Sequence, residues 1–200
     1  MTSSRLLLSC AVVALLSACG RETGGAEDQQ NQAANAVQDH AAGVVGTVAG
    51  PAGAVTDDAF VTNAAIGGMY EVEAGRIAAE RSSNAGVKAL GQRMVTDHGK
   101  ANDELKPIAA ALNLAVPAAL DQRHQGLIDN LRGATDQDFD RVYLQQQEAA
   151  HNETNALLTA FSQSPGNAEL KAWAAKTLPV IHAHQEAVDR LDEADADSPN

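Results

Sequence analysis

The sequence predicts an all-α protein, a ferritin-like four-helix bundle with a short extra helix in the connection between helices 2 and 3. Over four long segments, apolar residues recur at alternating spacings of three and four, which places them on one face of a helix. No segment of residues 56–192 alternates apolar and polar residues as a half-buried strand does. The connection over residues 114–134 is longer than a turn between antiparallel neighbours, so it can return the chain along the bundle.

The first pair of long helices has clear signals at its ends. Thr56 or Asp57 can cap the first helix, which is predicted to end near residues 82–84. The second helix contains Pro107, which either kinks its last turns or ends it early. Pro117 fits the first turn of the short helix that follows.

The second pair of long helices is separated by a strong stop signal. Thr135 or Asp136 is predicted to begin the third long helix, and the Ser-Pro-Gly sequence at residues 164–166 ends it. The fourth long helix contains Pro179, which neighbouring helices must accommodate as a kink. Alanine is abundant and aromatic residues are few, which predicts closely approaching helices rather than a core of large rings.

The N-terminus has the features of a cleavable lipoprotein signal peptide, predicted over residues 1–18. Arg5 precedes an uncharged run over residues 6–16, which has roughly half of the ~20 residues that a membrane-spanning helix needs. The Leu-Ser-Ala-Cys sequence at residues 16–19 resembles the bacterial lipobox, in which the cysteine is acylated and becomes the first mature residue. We therefore expect lipidation at Cys19. The alternatives are an ordinary signal peptidase site and an incidental cysteine.

The rest of the chain divides into a tether, a domain and a tail. Residues 19–55 are rich in Gly, Ala, Gln and Asn and contain no aromatic residue, which is typical of a flexible, lipid-anchored tether. Residues 56–192 contain all the helical patterns and form one domain. Residues 193–200 are acidic, with a late proline, and are expected to be a disordered tail.

Charge and compartment limit the partners. Removal of residues 1–18 takes away only Arg5 among the charged residues, so the formal net charge changes from −12 to −13. Such an acidic chain is unsuited to nucleic acid and to anionic lipid surfaces, so the acyl chains are expected to attach it to the membrane. Gly20 follows the cysteine, which favours the outer membrane, facing the periplasm. An envelope protein is a second candidate partner.

Each long helix carries one ionisable residue near its midpoint, on its apolar face: Glu71, His98, His151 and His184, in chain order. Mid-helix positions of similar helices lie at a similar level of a bundle, so these four side chains are expected to converge. Three imidazoles and a carboxylate are suitable ligands for zinc, copper, iron or manganese.

Other carboxylates lie near these four residues in the sequence. Glu148 precedes His151 with the Glu-x-x-His spacing of di-iron bundles, although the second such element is missing. Asp97 can orient the adjacent His98 or face solvent, and Glu73 lies beside the apolar stripe. The four core residues can also form a purely structural hydrogen-bonded network that fixes helix pairing.

Several segments carry a family resemblance: Phe60-Val61, Glu71-Val72-Glu73, Met94-Val95-Thr96-Asp97-His98, Phe139-Asp140-Arg141-Val142-Tyr143-Leu144, His151 and His184. Together they resemble the bacterial domain of unknown function 4142 over about residues 57 to 191. The resemblance implies an exported, ferritin-like helical bundle, often labelled an outer-membrane protein. It implies no particular activity.

Three classes of function follow from these observations. The first is a periplasm-facing lipoprotein that binds a metal ion through mid-helix His and Glu residues. The second is an envelope interaction, scaffold or stress-related lipoprotein whose buried network is structural. The third is a metal-dependent enzyme; nucleophilic catalysis has no support, because the one mature cysteine is predicted to carry lipid and no Gly-x-Ser-x-Gly motif occurs.

Overall fold

The computed structural model describes residues 54–196, and the regular secondary structure of this range is entirely helical. The helices are α1 (Asp57–Arg81), α2 (Ala85–Ala111), α3 (Gln122–Gly133), α4 (Phe139–Gln163) and α5 (Ala168–Ala196). The described residues contain no strand, so the predicted all-helical class is confirmed. The predicted signal peptide, Cys19 and nearly all of the tether lie outside the described residues, as do residues 197–200.

Side-chain caps fix the starts of α1 and α3. The Thr56 hydroxyl accepts a hydrogen bond from the backbone N–H of Ala59 (3.2 Å), so α1 begins where its sequence predicts. Asp121 caps α3 in the same way, through the N–H of His124 (2.8 Å). The short helix therefore begins after Asp121 and not at Pro117, because a carboxylate that satisfies a free N–H group marks a helix start more strongly than a proline does.

The start of α4 and the end of α5 differ from the predicted boundaries, whereas Pro107 has one of its two predicted places. Thr135 and Asp138 bond to each other through their side chains (2.6 Å) in a turn, and α4 begins only after this turn. Pro107 lies inside α2, which continues to Ala111. Pro179 lies inside α5, as expected, and this helix continues to Ala196, so the first four residues of the predicted tail are helical.

Contacts at the helix ends show the direction of each helix. Phe60, near the start of α1, stacks on Phe161, near the end of α4. The Trp173 indole N–H, early in α5, donates to the carbonyl of Ala101 in the second half of α2 (3.1 Å). Both pairs are therefore antiparallel, as are the two hairpins α1–α2 and α4–α5. In chain order the long helices run up, down, down and up, with α3 in the connection between the two parallel ones.

Small residues bring α1 and α2 close together. A Cβ atom added to Gly75 would lie 2.6 Å from the carbonyl oxygen of Gly91, and one added to Gly91 would lie 2.6 Å from that of Gly75. Any larger residue at either position would push the two backbones apart. This close approach is the arrangement that the alanine-rich composition predicts.

Two apolar clusters fill the core, one toward each end of the bundle. One contains Phe60, Phe161 and Trp173, which we call the aromatic cluster; the Phe60 and Phe161 rings are 3.9 Å apart and nearly parallel. The other contains Tyr70, Met94 and Leu144. Between the two lies a set of buried polar residues, which we call the histidine layer: Glu71, His98, Gln147, His151 and His184.

Candidate metal centre

Three histidines from three helices meet in the histidine layer. His98 comes from α2, His151 from α4 and His184 from α5, and their residue exposures are 6%, 0% and 0%. One nitrogen of each ring lies within 4.8 Å of one nitrogen of each other ring. The ring centroids are 5.2 to 5.6 Å apart. The predicted convergence of these three residues is therefore present in the structure.

The helical period explains why these side chains point inward. His98 lies four residues after Met94, and His184 lies four residues before Val188, so each shares its helix face with a buried apolar residue. His151 follows the buried Gln147 at the same spacing. Each imidazole thus occupies a position that an apolar residue would normally fill.

The outer nitrogens of two rings are held by hydrogen-bond acceptors. Nδ1 of His151 is 2.8 Å from the backbone carbonyl oxygen of Gln147, and Nε2 of His184 is 2.9 Å from Oδ2 of Asp97. A carbonyl or carboxylate oxygen only accepts, so each of these ring nitrogens carries the hydrogen. Histidine ligands of metals are commonly oriented through such bonds.

The inner nitrogens of the same rings consequently present lone pairs to each other. In the neutral tautomers, Nε2 of His151 and Nδ1 of His184 are both acceptors, and they are 3.2 Å apart. Two facing lone pairs repel unless a cation lies between them, either a proton or a metal ion. Two nitrogens at ~2.0–2.1 Å from a tetrahedral zinc are about 3.3 Å apart, so the observed separation suits a metal.

His98 supplies a third nitrogen. Its Nε2 atom is buried and has no hydrogen-bond partner among the described residues. A buried polar atom without a partner costs about 1–3 kcal/mol, which makes such atoms uncommon in folded proteins. Coordination to a metal would satisfy it.

The electrostatics of the layer keep the imidazoles neutral. Burial, followed by the effect of His151 and His184, lowers the pKa of His98 well below its usual value. Burial is also the main cause that lowers the pKa of His151 to about 4, and it lowers the pKa of His184. Neutral imidazole is the form that binds metals, so the histidines need not lose a proton at neutral pH.

Glu71 lies on the far side of the His151 ring from the other two histidines. Its Oε1 atom is 3.6 Å from Nδ1 of His151, the outer nitrogen, and its Oε2 atom accepts from the Gln147 side chain (2.7 Å). Burial raises the pKa of this carboxyl to about 8. The structure therefore brings together three of the four predicted ligands and places the fourth behind one of them.

The other carboxylates named from the sequence are in different places. Asp97 contacts His184 rather than its neighbour His98. The Arg93 side chain also donates a hydrogen bond to the Asp97 carboxylate (3.4 Å). Glu73 pairs with Arg132 at 2.6 Å. Glu148 is exposed on α4.

Gln147 is not among the predicted ligands, although it bonds to two residues of the histidine layer. Its backbone carbonyl holds His151, and its side-chain amide holds Glu71. The feature of the sequence that could have identified Gln147 is its place as a polar residue on the apolar stripe of α4, one turn before His151. A glutamine at such a position orients the groups around it.

The comparison with protein families decides the identity of the domain. The model described as "Domain of unknown function (DUF4142)" matches residues 40–191. The chain belongs to this family. The resemblance found in the sequence is confirmed, and all three clustered histidines of this DUF4142 domain lie within the matched range. The comparisons with curated proteins and with solved structures gave no match.

None of the helices among residues 54–196 combines the length and hydropathy required to cross a membrane.

Proposed function

We propose that this DUF4142 domain binds one first-row transition-metal ion through His98, His151 and His184. The observation that carries the proposal is the 3.2 Å separation of Nε2 of His151 and Nδ1 of His184, whose lone pairs face each other in the neutral tautomers. Both outer N–H groups are engaged by acceptors, so neither ring can relieve the repulsion by changing tautomer without losing a hydrogen bond. A metal ion removes the repulsion and keeps both bonds.

The donor set indicates which metals suit the site. Three neutral imidazoles fit zinc, copper, nickel and ferrous iron, whereas manganese prefers oxygen ligands. Affinity should therefore follow the usual order, with Cu²⁺ tightest, Zn²⁺ weaker than Cu²⁺ and Mn²⁺ weakest. Asp97 and the Gln147 carbonyl would act by orienting His184 and His151 and by increasing the basicity of their inner nitrogens.

We also propose a ferritin-like arrangement for the bundle. The support is the up, down, down, up order of the long helices, together with a long connection that contains α3 between the parallel pair. In such bundles, metal sites are built at mid-helix positions from inward-facing side chains of different helices.

We propose that a lipid on Cys19 anchors the domain in the cell envelope, where it faces the periplasm. The lipobox-like sequence at residues 16–19 supports this proposal. Cys19→Ser should abolish incorporation of a metabolic acyl label. Unchanged labelling of Cys19→Ser would exclude the anchor.

The metal proposal is tested by calorimetric titration of the metal-free protein with Zn²⁺. We expect one equivalent to bind, and at about 100 times its Kd the metal should stabilise the fold by about 2.7 kcal/mol. His184→Ala should weaken binding by more than the roughly 10–100-fold that loss of an orienting partner costs. His182→Ala is the matched control, because His182 is exposed on the same helix two residues away.

A purely structural network predicts a different result. His184→Ala would then lower the melting temperature, and neither the wild type nor His182→Ala would gain stability with Zn²⁺ or Cu²⁺. That outcome would exclude the metal proposal.

A further inference from the structure

A surface cavity lies beside the histidine layer, between α2 and α5. Its volume is about 100 Å³, and Asp97, His98, Ala101, Glu104 and Lys176 are among the residues that line it. The Lys176 side chain is 62% exposed and pairs with Glu104 across the two helices (2.7 Å), so the cavity reaches solvent. A water molecule needs only about 10–15 Å³ of such space, so this cavity has room for a small ligand.

The arrangement of the layer leaves a metal with three protein ligands. Helices α2, α4 and α5 each supply one imidazole, whereas α1 supplies Glu71, which faces the outer nitrogen of His151. Zinc and similar ions take at least four ligands, and a site with three histidines typically completes its shell with water or another exogenous ligand.

We propose that the bound metal keeps one exchangeable coordination position and that a small anion reaches it through the α2–α5 cavity. The inference rests on the proposed metal function and names the class of ligand that this site takes. A divalent ion with three neutral imidazoles keeps a charge of about +2 in a buried place, which favours an anion at the fourth position. The volume of about 100 Å³ suits a small anion.

The solvent exposure of residues that line the α2–α5 cavity supports this cavity as the route to the metal. Of the three histidines, His98 has the greatest exposure, and it lines the cavity. Asp97, which holds His184, also lines it and is partly exposed. A second cavity, between α1 and α4, is smaller, at about 30 Å³; Glu71 and His124 are among the residues that line it, and the three clustered histidines are not.

Azide binding to the Co²⁺-loaded protein tests the proposal, because a ligand change at Co²⁺ alters its visible absorption. We expect azide to change this spectrum in the wild type. Ala101→Leu, which fills the α2–α5 cavity, should weaken azide binding by about 10-fold and leave the Co²⁺ affinity unchanged. Val180→Phe fills the same cavity from α5 and provides a second variant if the first does not fold.

The matched control adds a methyl group to the wall of the opposite cavity. A Cβ atom at Gly67, which lines the α1–α4 cavity, would meet nothing within 4 Å, so Gly67→Ala should fold and bind azide as the wild type does. Failure to bind Co²⁺ would contradict the metal proposal itself. Tight Co²⁺ binding without a spectral response to azide would overturn the exchangeable position alone. Equal azide affinities in the wild type, Gly67→Ala and the folded α2–α5 cavity variant would overturn the route.

Discussion

The aromatic cluster and the histidine layer occupy neighbouring parts of one core, yet they differ in how well their buried groups are satisfied. In the aromatic cluster, Phe60 and Phe161 are 0% exposed and their rings stack in close contact, so both rings are fully buried against apolar neighbours. In the histidine layer, equally buried groups leave the Nε2 atom of His98 without a hydrogen-bond partner among residues 54–196. In their neutral tautomers, His151 and His184 also set two lone pairs against each other. The first arrangement is sufficient for folding. The second is unfavourable by itself, and the metal ion that we propose would make it favourable.

The largest expected effect comes from the aromatic cluster. Phe161→Ala should lower the free energy of unfolding by about 3–5 kcal/mol, because it removes a fully buried ring and leaves a cavity beside Phe60. Chemical denaturation of the metal-free protein measures this change. Zn²⁺ should still raise the melting temperature of the variant, and loss of that response would show that the two regions do not act separately.

A smaller effect is expected at the edge of the histidine layer. Asp97→Asn keeps the shape of the side chain that holds His184 but removes its charge, so Zn²⁺ affinity should fall by about 10-fold, or about 1.4 kcal/mol. Asp103→Asn is the control, because Asp103 is exposed on the same helix and pairs with Lys106. Equal titration curves for the two variants would contradict the orienting role of Asp97.

The pH dependence of the metal-free protein should distinguish the two regions as well. The raised pKa of Glu71, about 8 instead of 4.5, means that the folded state holds a proton that the unfolded state releases. The resulting stability is present below pH 4.5 and is lost as the pH rises through about 8. Between pH 7 and 8, wild type should lose about 1 kcal/mol relative to Glu71→Gln.

The histidines contribute with the opposite sign at lower pH. The lowered pKa of His151, about 4 instead of 6.5, means that the unfolded state takes up a proton first, so stability falls as the pH drops below 6.5. Stability measurements at pH 7 to 9 therefore separate the effect of Glu71 from that of the histidines. A constant difference between wild type and Glu71→Gln over that range would contradict the protonated state of this carboxyl.

The sequence predicted the histidine positions because they depend only on helical period. His98, His151 and His184 each replace an apolar residue on a buried stripe, and that replacement is visible without coordinates. The start of α3 is harder to predict, because Pro117 and Asp121 are both acceptable starts and only the cap hydrogen bond selects between them.

The partners of each side chain could not be predicted in the same way. Its position in the sequence suggests that Asp97 orients His98 or faces solvent, but consecutive helical residues point in different directions, and Asp97 instead reaches α5. Glu71 shares the level of the histidines, but the rotation of α1 places its carboxyl behind His151. Such details depend on helix rotation and side-chain rotamers, which the apolar pattern does not specify.

The most direct test of the account is anomalous diffraction at the zinc absorption edge, from crystals of the protein loaded with one equivalent of Zn²⁺. We predict one strong peak, at ~2.0–2.1 Å from Nε2 of His151, Nδ1 of His184 and Nε2 of His98. The outer hydrogen bonds to the Gln147 carbonyl and to Asp97 should remain. Zinc found only at surface carboxylates, with His151 and His184 joined by a shared proton, would contradict the account.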